Sequence, residues 1–188
     1  MRGLSNPAIW YLMRGSGVVT LILFTGVVVL GIATTMRFRP GRLARFVTLG
    51  LHRNVALLAV VFLAIHVATA VVDSYAKVRL AQVLVPLPSA RYGLFLGMGA
   101  LSLDLVAAIV VTSLVRDRLG RRVWKGVHWL AYASWPIAFF HAVGIGTDKA
   151  SGWFVDAAVA CVSVIVVAVC WRLLALRRAY PKYLGAQS

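Results

Sequence analysis

Residues 50–72 read GLHRNVALLAVVFLAIHVATAVV and residues 126–147 read GVHWLAYASWPIAFFHAVGIGT. At about 1.5 Å of rise per residue, either stretch is long enough as a helix to cross a hydrocarbon core of about 30 Å. Each carries two histidines, and His52, His66, His128 and His141 are all the histidines of the chain. Ionisable side chains are expensive inside a bilayer, turn toward the interior of a helix bundle and mark function there by default.

Working outward, three more stretches, 17–35, 92–115 and 153–176, are of spanning length and apolar on nearly every face. With 61% of residues hydrophobic, 13% charged and a mean hydropathy of +0.87, a water-soluble fold is excluded. None of the five stretches shows the period-2 alternation of a barrel strand. The expected fold is therefore an all-α integral membrane protein, a bundle of five transmembrane helices forming a single domain over residues 1–188. The first stretch is too long for a signal-peptide core and follows Trp10, Tyr11 and Arg14, so it reads as a retained span. Between Asp73 and Arg91, the run Val78, Leu80, Val83, Leu84 and Val85 suits a short amphipathic helix that Pro86 and Pro88 stop.

The formal charge of +15 does not point to nucleic acid, because the basic residues fall between apolar runs. The loop after the first stretch holds Arg37, Arg39, Arg42, Arg45 and Arg53, and the loop after the third holds Arg116, Arg118, Arg121, Arg122 and Lys125. The second and fourth loops hold only Lys77, Arg79, Arg91 and Lys149. Positive-inside counting thus puts the N-terminus outside and the C-terminus in the cytoplasm, in a bacterial plasma membrane by expectation.

Stretches two and four run in the same direction, so His52 and His128 share the cytoplasmic end while His66 and His141 lie deeper toward the outside. Their spacings, 14 and 13 residues, correspond to about 21 and 20 Å of helix. Two rungs of paired imidazoles follow, and each supplies the two axial ligands that a b-type haem needs, so two non-covalent haem b groups are expected. Fourteen residues turn about 40° short of four full turns, which leaves His52 and His66 on one face. Thirteen leave His141 about 140° from His128 on an ideal helix, and local rewinding at Pro136 is the expected repair. Zinc or copper is disfavoured, because no thiolate or carboxylate adjoins the histidines.

Other residues carry weaker signals. Glycines 15, 17, 26 and 31 in the first stretch and 93, 97 and 99 in the third allow close approach of a helix or of a flat macrocycle. Asp104, near the middle of the third, is expected to face the interior or a hydrated cavity. Arg53, Arg121, Arg122 and Lys125 lie near the inner rung and are candidate partners for haem propionates, although topology alone accounts for their charge. Trp124, Trp129, Tyr132, Trp135, Phe139 and Phe140 cluster around the fourth-stretch histidines without singling out an electron path. Cys161 and Cys170 read as small buried hydrophobes that cannot pair within one helix.

The run from Leu51 to Thr147, with both histidine intervals in this order, resembles the ferric reductase-like transmembrane domain, the haem-bearing part of ferric reductases and NADPH oxidases. The segment Val127-His128-Trp129-Leu130-Ala131-Tyr132, with His141-Ala142-Val143-Gly144 and Thr147-Asp148 beyond it, is similar to short bacterial members. The resemblance implies that the four histidines ligate haem iron and that the chain is a di-haem cytochrome b, an oxidoreductase component. Larger relatives continue into a domain for FAD and a nicotinamide nucleotide, whereas about twelve residues follow the last span here, too few for such a unit. Many relatives also have six spans where five are counted here. The expected donor is accordingly a separate flavoprotein or quinol, and the expected acceptor is ferric iron, a flavin-bearing partner, an exported reductase or oxygen outside the cell. The alternative is a non-catalytic haem-binding anchor within a larger respiratory complex. The sequence leaves the oligomeric state open.

Overall fold

Helix α1 (Pro7–Thr35) opens on a proline, whose fixed φ and missing N–H suit a first helical turn, and so begins ten residues before the expected Gly17. In this computed structural model residues 7–35, 41–74, 76, 78–86, 93–146 and 150–184 are described, and among them every element is helical. The rest are α2 (Gly41–Val72), α3 (Leu80–Leu84), α4 (Gly93–Leu114), α5 (Arg116–Leu119), α6 (Arg121–His128), α7 (Ala131–Ile145) and α8 (Gly152–Leu184). Helix α3 is the short element expected ahead of Pro86, whereas Pro88 lies outside the described residues. Four helices, Pro7–Thr35, Phe46–Val72, Gly93–Leu114 and Gly152–Arg177, are long and apolar enough to cross a membrane, so the chain is a multi-pass membrane protein.

The fourth of the five expected spans is not one helix. It is divided between α6 and the fifteen-residue α7 by a turn at Trp129 and Leu130. Pro136 sits inside α7, so the irregularity lies upstream of the position where rewinding was expected. Leu130, Tyr132 and Ala133 all donate their N–H groups three residues back, to Val127, Trp129 and Leu130, as in a 3₁₀ turn. Each residue wound that way turns about 20° more than in an α-helix, so the three together take up about 60° of the 140° by which His141 would otherwise miss His128's face. The guanidinium of Arg172 on α8 holds the turn from outside: it donates to the Tyr132 hydroxyl at 2.6 Å and lies 5.2 Å from the Trp129 ring centre.

Helix α1 is the centre of the packing, lying along α2 and also against α7 and α8, while α4 lies along α7. Its buried stripe, Leu21, Thr25, Val28 and Ile32, repeats at three and four residues and meets Trp135 of α7 and Cys161 and Ala168 of α8. At half depth the Trp135 indole N–H donates to the Thr25 hydroxyl at 2.9 Å, and that hydroxyl donates to the Leu21 carbonyl. A second cluster, Ala76, Val78 and Leu96, packs α3's approach onto the start of α4. Cys161 is buried as expected, but Cys170 is exposed on the outer side of α8. From Phe46 to Val72 only Ala59 of α2 is buried, so the helix with two of the histidines is thinly covered.

The indole hydrogen bond predicts the response to Trp135→Phe. Loss of a buried bond and of part of the ring should lower stability by about 1–2 kcal/mol, read as a lower unfolding temperature in detergent. Thr25→Val should produce a loss of similar size, and the double variant should cost less than the two single losses together.

Candidate functional site

All four histidines come together in two pairs. The His52 and His128 rings have centres 6.2 Å apart, and those of His66 and His141 are 6.4 Å apart. Helix α2 supplies one member of each pair. The other members stand on either side of the break, His128 as the last residue of α6 and His141 two-thirds of the way along α7. The overwound turn at Trp129 and Leu130 lies between the two and supplies part of the rotation that brings both to α2.

Three of the imidazoles are seated in the same way. The Nδ1 of His66 bonds the Met13 carbonyl at 2.8 Å, that of His52 the Val27 carbonyl at 3.1 Å, and that of His141 the Phe95 carbonyl at 2.8 Å. A backbone carbonyl only accepts, so each Nδ1 carries the proton and each Nε2 keeps its lone pair. In every case a glycine lies four residues after the accepting carbonyl: Gly17, Gly31 and Gly99. A Cβ built on Gly17 would lie 2.9 Å from the His66 ring, and one on Gly99 would lie 2.5 Å from the His141 ring. One on Gly31 would be in ordinary contact with His52, at 3.5 Å. The glycines thus let an imidazole reach the helix backbone. Gly17 to Gly31 spans the same fourteen residues as His52 to His66, so the antiparallel pair α1–α2 repeats the seat at two depths. His128 differs, because its Nδ1 is buried without a hydrogen-bond partner among the described residues, and its ring lies 5.1 Å from that of Trp124.

An apolar cavity of about 250 Å³, open on one side, lies against the His66–His141 pair. Its lining includes His66, His141, Gly17, Gly99, Trp10 and Arg14. Sequence reading missed Arg14, which was counted only as a charge ahead of the first span. Its guanidinium lies 4.3 Å from the Trp10 ring centre, and among the described residues it is the one Lys or Arg in this lining. Their spacing of four residues was the available signal. Arg53, Arg121, Arg122 and Lys125 are exposed, and no contact draws any of them to a histidine. Asp104 does not face the interior. It is exposed on α4 between Leu101 and Val111, which are exposed too, while the buried face of that helix is formed by Leu96, Gly97, Ala100 and Ser102. Ser102 is turned inward instead and donates to the Ser134 carbonyl at 3.1 Å, so α4 is rotated to meet α7 with its small residues.

The seats make the glycines unequal to one another. Gly99→Ala should destabilise the protein by about 1–3 kcal/mol, because the new methyl meets the His141 ring. Gly15→Ala, where a Cβ meets nothing within 4 Å, should be neutral or stabilising by up to about 1 kcal/mol. The unfolding temperature in detergent should fall in Gly99→Ala and hold or rise in Gly15→Ala.

Among the described residues no group of three or more His, Cys, Asp or Glu side chains converges, so the donor set at each pair is two imidazoles. A bare zinc or copper ion would lack ligands there, whereas an iron that brings four in-plane nitrogens needs only two more. No curated protein and no solved structure matches the chain. The family model for the ferric reductase like transmembrane component matches residues 14–139. That range includes His52, His66, His128 and all three seating glycines, and it ends two residues short of His141. As the match covers more than half of the sequence, this chain belongs to the ferric reductase-like transmembrane family.

Proposed function

We propose that this chain is a transmembrane electron conduit that holds two b-type haems in series, one between His52 and His128 and one between His66 and His141. The observation that carries the reading is the ring-to-ring distance of the pairs, 6.2 and 6.4 Å. A ring nitrogen lies about 1.1 Å from its ring centre and about 2 Å from a metal it binds, so two imidazoles on opposite sides of one iron have centres about 6.3 Å apart. Protonated Nδ1 atoms on three of the four leave Nε2 as the ligating atom. Membership of a family whose transmembrane domains generally bind haem supports the same cofactor.

The chemistry such haems supply is one-electron transfer, from a cytoplasmic-side flavoprotein or quinol to an acceptor outside: ferric iron, a flavin-bearing partner, an exported reductase or oxygen. The residues of the chain define what kind of site this is. Held by an imidazole on each side, a haem iron would have no position left for substrate, so the chemistry such a group would supply here is electron exchange. Apolar walls from α1, α2, α4 and α7 exclude water, and Arg14 offers a cation for a propionate at the outer mouth. Arg53, Arg121, Arg122 and Lys125 give the inner end a basic surface for propionates or for an acidic donor. The orientation, N-terminus outside, rests on the distribution of these charges.

An optical spectrum with haem-to-chain stoichiometry tests the reading. Reduction by dithionite should sharpen Soret and alpha bands at two haems per chain. His66→Ala or His141→Ala should reduce the ratio to one. A wild-type protein with no such bands, expressed with ample haem, would overturn the proposal. In vesicles of one orientation, a donor added on the cytoplasmic side should reduce the outer haem far more slowly in His52→Ala than in wild type. Equal rates, with the inner haem shown to be missing, would reject the relay and favour a haem-binding anchor.

A further inference from the structure

Helices α4 and α7 exchange rings. The His141 imidazole stands at the bare Cα of Gly99 on α4, and the Phe95 ring stands at the bare Cα of Gly144 on α7. A Cβ built on Gly144 would fall among the Cγ, Cδ1 and Cε1 atoms of that ring. Cγ is the pivot of the ring, so rotation about the Cβ–Cγ bond cannot clear it. Room for a methyl has to come from a different χ1 of Phe95 or from separation of the two helices. Separation would undo the seat, because the carbonyl that takes the His141 Nδ1 proton at 2.8 Å belongs to Phe95 itself. Gly99 lies four residues after Phe95 and Gly144 three after His141, so on each helix the ring-bearing residue and the glycine share a face. The seats on α1 have no such counterpart. The acceptors there belong to Met13 and Val27, and Gly50, the glycine of α2 nearest His52, meets nothing within 4 Å.

We propose that Gly144 is a positioning residue of the outer site: the clearance it leaves for the Phe95 ring lets α4 come close enough for the Phe95 carbonyl to hold His141. The inference rests on the reading of these histidines as axial ligands. A hydrogen bond from Nδ1–H to a carbonyl makes Nε2 a stronger donor and stabilises the oxidised metal. Gly144 therefore keeps the outer couple at a lower potential than alanine would allow, which makes the reduced outer end a stronger donor to its acceptor.

Two measurements test this. In redox titrations, Gly144→Ala should raise the potential of the outer haem and leave the inner one unmoved. Adding Phe95→Ala to that variant removes the ring but keeps the carbonyl, and should bring the outer potential back toward wild type. If Gly144→Ala loses the outer haem instead, the double variant should regain it. An unchanged outer potential in Gly144→Ala, both potentials shifted alike, or a double variant no nearer wild type would reject the role. The second readout does not depend on haem. Protein labelled with ¹⁵N in histidine should give three Nδ1–H signals at the low field typical of strong hydrogen bonds in wild type, two in Gly144→Ala and three again in the double variant. Three such signals in Gly144→Ala would overturn the proposal, whereas a wild-type protein with no haem would defeat the proposed function alone.

Discussion

An imidazole that offers one nitrogen to a metal has to dispose of the proton on the other, and inside a bilayer there is no bulk water to take it. Here the only abundant acceptors are the carbonyls of neighbouring helices, and their lone pairs lie beneath a sheath of side chains. Removing one side chain, four residues beyond the carbonyl, opens the way. That single requirement accounts for the placement of Gly17, Gly31 and Gly99, for the antiparallel register of α1 against α2, and for the close approach of α4 to α7. It also orients the rings, because a hydrogen bond of 2.8–3.1 Å to a helix backbone leaves the ring little freedom to turn.

The second constraint is rotational. Two histidines thirteen residues apart on an α-helix point in different directions, so the helix bearing His128 and His141 has to be wound more tightly somewhere. A proline already weakens the ladder, since Pro136 cannot donate to the Tyr132 carbonyl. The chain turns at Trp129 and Leu130, and the freed aromatic rings gather under Arg172. An arginine in an apolar helix is thereby given a hydroxyl and two ring faces to sit against, and the break is given a clamp.

How much of this could be read from the sequence follows from the range of each signal. The apolar runs, the pairing of the histidines and the need for an irregularity after His128 are one-dimensional facts about length and spacing, and they were legible. The exact place of the irregularity was not, because Pro136 marks where a hydrogen bond is missing but the side chains of another helix decide where the backbone yields. The glycines were legible as points of close approach, though what approaches them depends on the register between helices. Asp104 is not in the interior, one of the two places expected of it, because the cost of a carboxylate in hydrocarbon sets only a preference, whereas the rotation of α4 is set by Gly97, Ala100 and Ser102 against α7. Arg14 escaped because its relation to the cavity exists only once α1 extends back to Pro7.

The thin burial of α2 has a thermodynamic corollary. Helices α1 and α2 form one antiparallel hairpin and α4 forms a second group with α6 and α7, and each histidine pair draws one member from each. A group that binds both members of a pair bridges the hairpins and, by mass action, favours the assembled bundle over any opened form that has lost the site. For such a protein, fold stability is partly a property of its supply: scarcity of the bridging group would be felt as turnover of the polypeptide before it was felt as loss of activity.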